Sequence, residues 1–192
     1  RPLAQRLASF REQAVRQCAG GKETGNMTQA AASEAVKYAG LVDRLAILDL
    51  ESRYAMTWDL DAMTWDLADC DGWAGLFTAD GVFELTPAEP PMNRLEGHEA
   101  LAGFCRTITG IYRGVHVMGA PALTISGDEA SGYVAFQWIG ISAPGRSMQE
   151  HRQTSGYYHV RYRRCEDGQW RIARRNEHGI AGTMNQIYGF PG

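Results

Sequence analysis

Two aspartates stand directly behind tryptophans: Asp59 follows Trp58, and Asp66 follows Trp65. A carboxylate held among indoles is poorly solvated, which raises its proton affinity and suits it to general-base chemistry. Both acids belong to a tandem repeat, AMTWDLD over residues 55–61 and AMTWDLA over 62–68. Seven residues are almost two helical turns, a shift of about 10.5 Å along the axis with little rotation. The copies therefore place Met56 with Met63, Trp58 with Trp65, and Asp59 with Asp66 on nearly one face. Two acids compete for one role. His98, His116, His151, His159 and His178 show no H-E-x-x-H or other ligand spacing, so no metal site is expected. No Gly-rich phosphate loop and no nucleophile elbow occurs either, and no cofactor is expected.

The element that must carry these acids is a helix within Leu41 to Thr78. Leu41, Leu45, Leu48, Leu50, Tyr54, Met56 and Trp58 recur at helical spacing and predict one core-facing side. Ahead of it, residues 1–18 suit a short amphipathic helix, followed by the glycine-bearing AGGKETGN. Met27 opens a Thr/Ala/Ser-rich lead-in and is a candidate start, which would make residues 1–26 an extension or an expression remnant. Behind it, DCDGWAGLFTADG reads as a turn and short helix capped by Asp71, with Trp73, Leu76 and Phe77 buried. VFEL (82–85) reads as a strand, PAEPPMNR as a loop, and Glu96 to Thr109 as a third helix burying Leu101, Phe104 and Ile108.

From Gly114 onward the pattern is β: HVMG, ALTIS, a Gly127-Asp128 turn, ASGYVAFQWIGIS, a Pro144-Gly145 turn, QTSGYYHVRYRR, an Asp167-Gly168 turn, and QWRIARRNEHG. The glycine-rich tail GIAGTMNQIYGFPG reads as a covering segment. Helices first and hairpin-linked strands afterwards predict an α+β fold, with helices on one face of a curved antiparallel sheet. Such a sheet leaves a pocket at its open end. The predicted organisation is a loosely attached stretch over residues 1–30 and one domain over 40–192.

Composition bounds the partners. The 192 residues, 44% hydrophobic and 21% charged, suit one globular domain with a substantial core. A net charge of −3 without Lys/Arg runs argues against nucleic acid. No apolar run approaches a membrane span. Cys18, Cys70, Cys105 and Cys165 form no C-x-x-C, so four free thiols in a reducing cytoplasm are expected. Arginines near the start, where a secretion signal would be apolar, point the same way.

DRLAILDLESRYA, DGWAGLFTADGVFE, EGHEALAGF, the His116 strand and GYYHVRYRRCEDGQWRIARR, in that order and spacing, resemble the SnoaL-like branch of the nuclear transport factor 2-like superfamily. The resemblance spans Leu41 to about Asn176. It implies a long helix, two shorter ones and a strongly bent sheet around a deep, cone-shaped pocket, a cystatin-like arrangement. In dehydratase-like members, an Asp near the end of the first helix orients a strand His that removes a proton. His116 matches that histidine. Counting from Arg53-Tyr54 lands on Asp59, whereas counting back from the turn lands on Asp66. The turn-anchored count is favoured, and it puts Tyr54 in doubt as the pocket tyrosine of the family.

The implied site is His116 with Asp66 or Asp59 as catalytic groups. Tyr54, Trp58, Trp65, Phe136, Trp138, Tyr158 and His159 are the candidates for substrate contact. Strand alternation sets Tyr158, Val160 and Tyr162 on one face and Tyr157, His159 and Arg161 on the other, which favours a surface place for His159. Arg174 and Arg175 are expected to pair with surface acids. The implied activity is a cofactor-independent lyase or dehydratase acting on a bulky hydrophobic alicyclic or polyketide-like molecule. An isomerase or polyketide cyclase with the same dyad is one alternative, and a non-catalytic binding or assembly domain is another. Surplus apolar side chains in strands 130–142 and 152–162 predict a homodimer or homotrimer through the outer sheet face.

Overall fold

The first helix, α1 (Met27–Thr64), is the longest element of the computed structural model, which describes residues 27–64, 69–86, 94–143 and 150–184. Its buried side runs through Asp43, Ile47, Leu50, Glu51, Tyr54, Ala55, Trp58 and Asp59, a stripe at helical spacing. Leu41, Leu45 and Met56, expected on that side, are instead about half exposed. The lead-in from Met27 is part of the helix.

α1 is followed by α2 (Cys70–Ala74), β1 (Phe77–Thr86), β2 (Arg94–Glu96), α3 (Gly97–Thr109), β3 (Tyr112–Met118) and β4 (Ala122–Ser126). Three long strands close the chain: β5 (Glu129–Ser142), β6 (His151–Arg164) and β7 (Trp170–Met184). The seven strands form one curved sheet in the order β2-β1-β7-β6-β5-β3, with β4 also on β5. All pairings are antiparallel except β1 with β7, which is parallel. The architecture is α+β, as the order of elements predicts. Gly127 and Gly168 take positive φ, 61° and 77°, in the two turns that join β4 to β5 and β6 to β7.

Several local expectations change. The α2 cap is Asp69, not Asp71: its Oδ1 accepts the Gly72 N–H at 2.8 Å. β7 continues through Met184, so the first half of the glycine-rich tail is strand. The Pro144-Gly145 turn lies outside the described residues. So do residues 1–26.

The four-thiol expectation is also corrected. Cys70 and Cys105 form a disulfide that ties α2 to α3, and Cys165 is free. The argument for a cytoplasmic location from free thiols loses its premise. Among the described residues, no helix is long and apolar enough to cross a membrane.

Between helix and sheet lies one core. Ile47, Leu50, Tyr54 and Trp58 of α1 meet Trp73, Phe77, Leu101, Val134, Phe136, Tyr158, Val160 and Ile172. At roughly 25 cal/mol per Å² of apolar surface removed from water, such a cluster supplies the dominant favourable contribution to folding.

Candidate active site

β3 brings His116 opposite the end of the α1 stripe. Asp59 Oδ1 lies 2.7 Å from His116 Nδ1, and Asp59 Oδ2 accepts the backbone N–H of His116 at 2.6 Å. Both side chains are buried, 6% and 7% exposed. One carboxylate thus fixes both the main chain and the ring of the same residue. An ionised carboxylate only accepts, so Nδ1 carries a proton in this pair, and in the neutral ring Nε2 is the basic nitrogen. Among the described residues, nothing hydrogen-bonds to Nε2.

The partner of His116 is therefore Asp59, and the preference for Asp66 is corrected. Asp66 and Trp65 lie outside the described residues. Counting back from the turn assumed a fixed helix end. Packing sets the register farther back, where Tyr54 and Trp58 lock α1 against Trp73.

The dyad sits in an aromatic setting. Trp58 and Tyr54 each stand edge-on to the His116 ring, with centroids 6.1 Å away. Trp58 packs on Trp73 at 4.9 Å and on Phe104 at 5.7 Å. Phe136 stacks on Tyr158 at 4.1 Å, and Tyr158 meets Tyr54 at 5.9 Å. Trp138 is the cross-strand partner of His116 and shares its face of the sheet. The fold thus gathers Asp59, His116, Tyr54, Trp58, Phe136, Trp138 and Tyr158 into one region. His159 is not among them: it stacks on Tyr133 on the outer face, at 4.7 Å. Its neighbour Tyr157 stacks likewise on His178.

One polar group went unrecognised in the sequence. Arg175, expected at the surface, is fully buried. Its Nη1 and Nη2 each donate to a Glu51 carboxylate oxygen at 2.9 Å, and the Tyr162 hydroxyl donates to Glu51 Oε1 at 2.9 Å. The guanidinium lies between the rings of Tyr54, at 3.7 Å, and Tyr158, at 3.9 Å. Burial works against the Arg175 charge, but Glu51 outweighs it and the pKa is raised. Burial also pushes the Tyr54 and Tyr158 phenols far up, against the pull of Arg175, so they stay protonated in the working range. The sequence signal was weak: in RIARRN the arginine looks like any surface cation, and its partner is 124 residues away.

A family model for the SnoaL-like domain matches residues 39–176. The chain belongs to the SnoaL-like family. Among curated proteins, none matches it. Several solved structures are similar. Rv3472 of Mycobacterium tuberculosis, a protein of unknown function solved as an Asp-to-Asn variant, is 28% identical over 73% of each chain, with a TM-score of 0.58. A type 2 hexachlorocyclohexane dehydrochlorinase, LinA, is 17% identical over 81% of this chain and 97% of its own, with a TM-score of 0.65. A nuclear transport factor 2-like protein with a cystatin-like fold from Novosphingobium aromaticivorans is 20% identical over 84% and 92%, with a TM-score of 0.55. The last two show the fold alone. Within this SnoaL-like chain, Asp59, His116 and Arg175 all fall inside the matched span.

Proposed function

We propose that this SnoaL-like chain is a cofactor-independent lyase of the dehydratase type, acting on a bulky hydrophobic alicyclic or polyketide-like molecule. The observation that carries the reading is the buried Asp59–His116 pair, whose Nε2 has no hydrogen-bond partner among the described residues. His116 Nε2 takes a proton from a substrate carbon, and Asp59 stabilises the imidazolium that forms. The C–H electron pair becomes the new C=C bond as the neighbouring hydroxyl leaves. The imidazolium returns its proton to that hydroxyl, which departs as water and restores the neutral ring. A site walled by Trp58, Phe136 and Trp138 keeps the base poorly solvated and reactive. The dehydrochlorinase among the structural neighbours is compatible with such an elimination. An isomerase or cyclase would use the same first step and return the proton to carbon.

The outer sheet face, where Val117, Tyr133 and Ile141 are more than half exposed, is proposed to bury itself against a second copy, giving a homodimer or homotrimer.

The test is a panel of hydroxylated and halogenated alicyclic and polyketide-like compounds incubated in D2O. Mass spectrometry follows loss of water or hydrogen halide and uptake of deuterium. Turnover should fall by a factor on the order of 10²–10⁴ in both His116→Ala and Asp59→Asn. Unchanged turnover in both variants would remove the dyad. Binding without conversion of any compound would favour a binding module. Deuterium uptake without elimination would favour the isomerase.

A further inference from the structure

α1 carries a second apolar stripe that the core does not use. Tyr38, Leu41, Leu45 and Met56 are 47–65% exposed, and Leu48 among them is half-buried. Their spacing keeps them on one side of the helix, turned away from the side that buries Ile47, Leu50 and Tyr54. Four of the nine large apolar side chains exposed among the described residues thus share one line, which is more than scatter. Two acids of the same helix, Glu34 and Asp49, are exposed as well.

One segment of the chain suits this stripe in pattern, length, charge and attachment. Over residues 1–18, Leu3, Leu7, Phe10, Ala14 and Cys18 recur at helical spacing, with Arg1, Glu12 and Arg16 on the other side. A helix of that length spans about 27 Å, as does α1 from Tyr38 to Met56. The eight residues AGGKETGN reach at most about 26 Å, and about 16 Å separates Met27 from Tyr38 along α1. That linker is long enough to bring Cys18 level with Tyr38. An antiparallel return then sets Phe10 level with Leu45, and Leu3 within a turn of Met56. Residues 1–26 carry five basic and two acidic side chains, a net +3, whereas the whole chain is at −3 and the remainder therefore at −6. The two parts attract. An 18-residue helix is marginal alone in water, so its order has to come from a partner. The tether offers α1 to it at roughly millimolar effective concentration, which a second copy reaches only in concentrated solution.

We propose that residues 1–18 fold back on α1 as an amphipathic helix and cover the stripe from Tyr38 to Met56. The stripe is then an intramolecular docking face, and the segment is fastened to the domain rather than loosely attached. The inference is independent of the Asp59–His116 reading, which concerns the buried side of the same helix.

The test is hydrogen exchange read by mass spectrometry on the full chain, in wild type, in Phe10→Asp, and in Leu41→Asp combined with Leu45→Asp. In wild type, the amides of residues 3–18 should exchange at least about tenfold more slowly than an unstructured peptide of that sequence, alike at about 2 µM and about 200 µM protein. Both variants should return them to the unstructured rate, while exchange in β5, β6 and β7 stays unchanged. Leu41 and Leu45 are each more than half exposed, so their replacement spares the core. Phe10→Asp keeps the test open should the double variant disturb α1. Exchange of residues 3–18 at the unstructured rate in wild type overturns the inference. So does protection that survives the Leu41 and Leu45 replacements. Protection confined to the higher concentration also overturns it, and makes a second copy the partner.

Discussion

α1 carries three buried acids eight residues apart, Asp43, Glu51 and Asp59, and the last two make an instructive contrast. Eight residues advance a helix by about 12 Å and turn it by about 80° beyond two full turns, so successive acids face successive parts of a curving sheet. Asp43 meets Arg164 at 2.6 Å, Glu51 meets Arg175, and Asp59 meets His116. At Glu51 the fork of an arginine takes both oxygens, and a tyrosine adds a third bond. The Arg175 guanidinium keeps its charge throughout the working range, so the cluster is closed chemically. At Asp59 both oxygens are again occupied, but the partner is an imidazole with a second nitrogen left over. The same helix thus carries one pair that can only hold and one that is proposed to transfer a proton as well. Burial of an acid by itself does not identify a site. The chemistry of its partner does.

The contrast can be broken by mutation. Arg175→Ala strands the Glu51 charge in the core and should cost about 3–5 kcal/mol of stability, measured by urea unfolding. Replacing both partners at once, Glu51→Leu with Arg175→Met, should recover most of that loss. If it does not, Arg175 holds Tyr54 and Tyr158 through more than the ion pair. The disulfide sharpens the comparison from the other side, because it braces α2 and α3 behind the aromatic wall of Asp59 and His116. Cys105→Ala should cost about 2–4 kcal/mol. Hydrogen exchange should quicken in α2 and α3 while the β6–β7 pairing beside Arg175 stays protected. Asp59→Asn should cost only about 1 kcal/mol, since the amide oxygen can still accept one of the two bonds. A loss as large as that of Arg175→Ala would make Asp59 a structural acid like Glu51.

The smallest effect is expected at the rim. Burial pushes the Glu84 carboxyl up, but hydrogen bonds from Arg174 and Arg94 outweigh it and hold the pKa below the ordinary value. A lowered carboxylate contributes stability above its unfolded pKa, near 4.5, and loses it as pH falls through the folded value. Glu84→Gln should therefore lower the melting temperature slightly at pH 7 and by less at pH 3. An equal drop at both values would assign the effect to packing.

The fold was legible because its signals are local. The apolar run YVAFQWIGI, alternation in GYYHVRYRR, turn residues at Gly127-Asp128 and Asp167-Gly168, and the α1 stripe each point to one element. The acid was not legible, for a geometric reason. A seven-residue repeat returns almost to the same helix face, so Asp59 and Asp66 look alike to any local argument. Only the contact of Asp59 with a histidine 57 residues away separates them. Arg175 and the Cys70–Cys105 bridge escaped for the same reason, since each is defined by a partner distant in the chain. Three of the seven α1 stripe residues were misread, because Leu41, Leu45 and Met56 were assigned to the core side yet lie on the exposed side.

Asp59, and not Asp66, holds His116 with Nδ1 protonated, which leaves Nε2 as the nitrogen proposed to accept a proton. Long-range ¹H–¹⁵N correlation on ¹⁵N-histidine-labelled protein reads the tautomer directly and needs no substrate. At a pH where the ring is neutral, His116 should show the Nδ1–H pattern in wild type and in Asp66→Asn, and should lose it in Asp59→Asn. An Nε2–H pattern in wild type, or a tautomer that changes with Asp66→Asn and ignores Asp59→Asn, would contradict it.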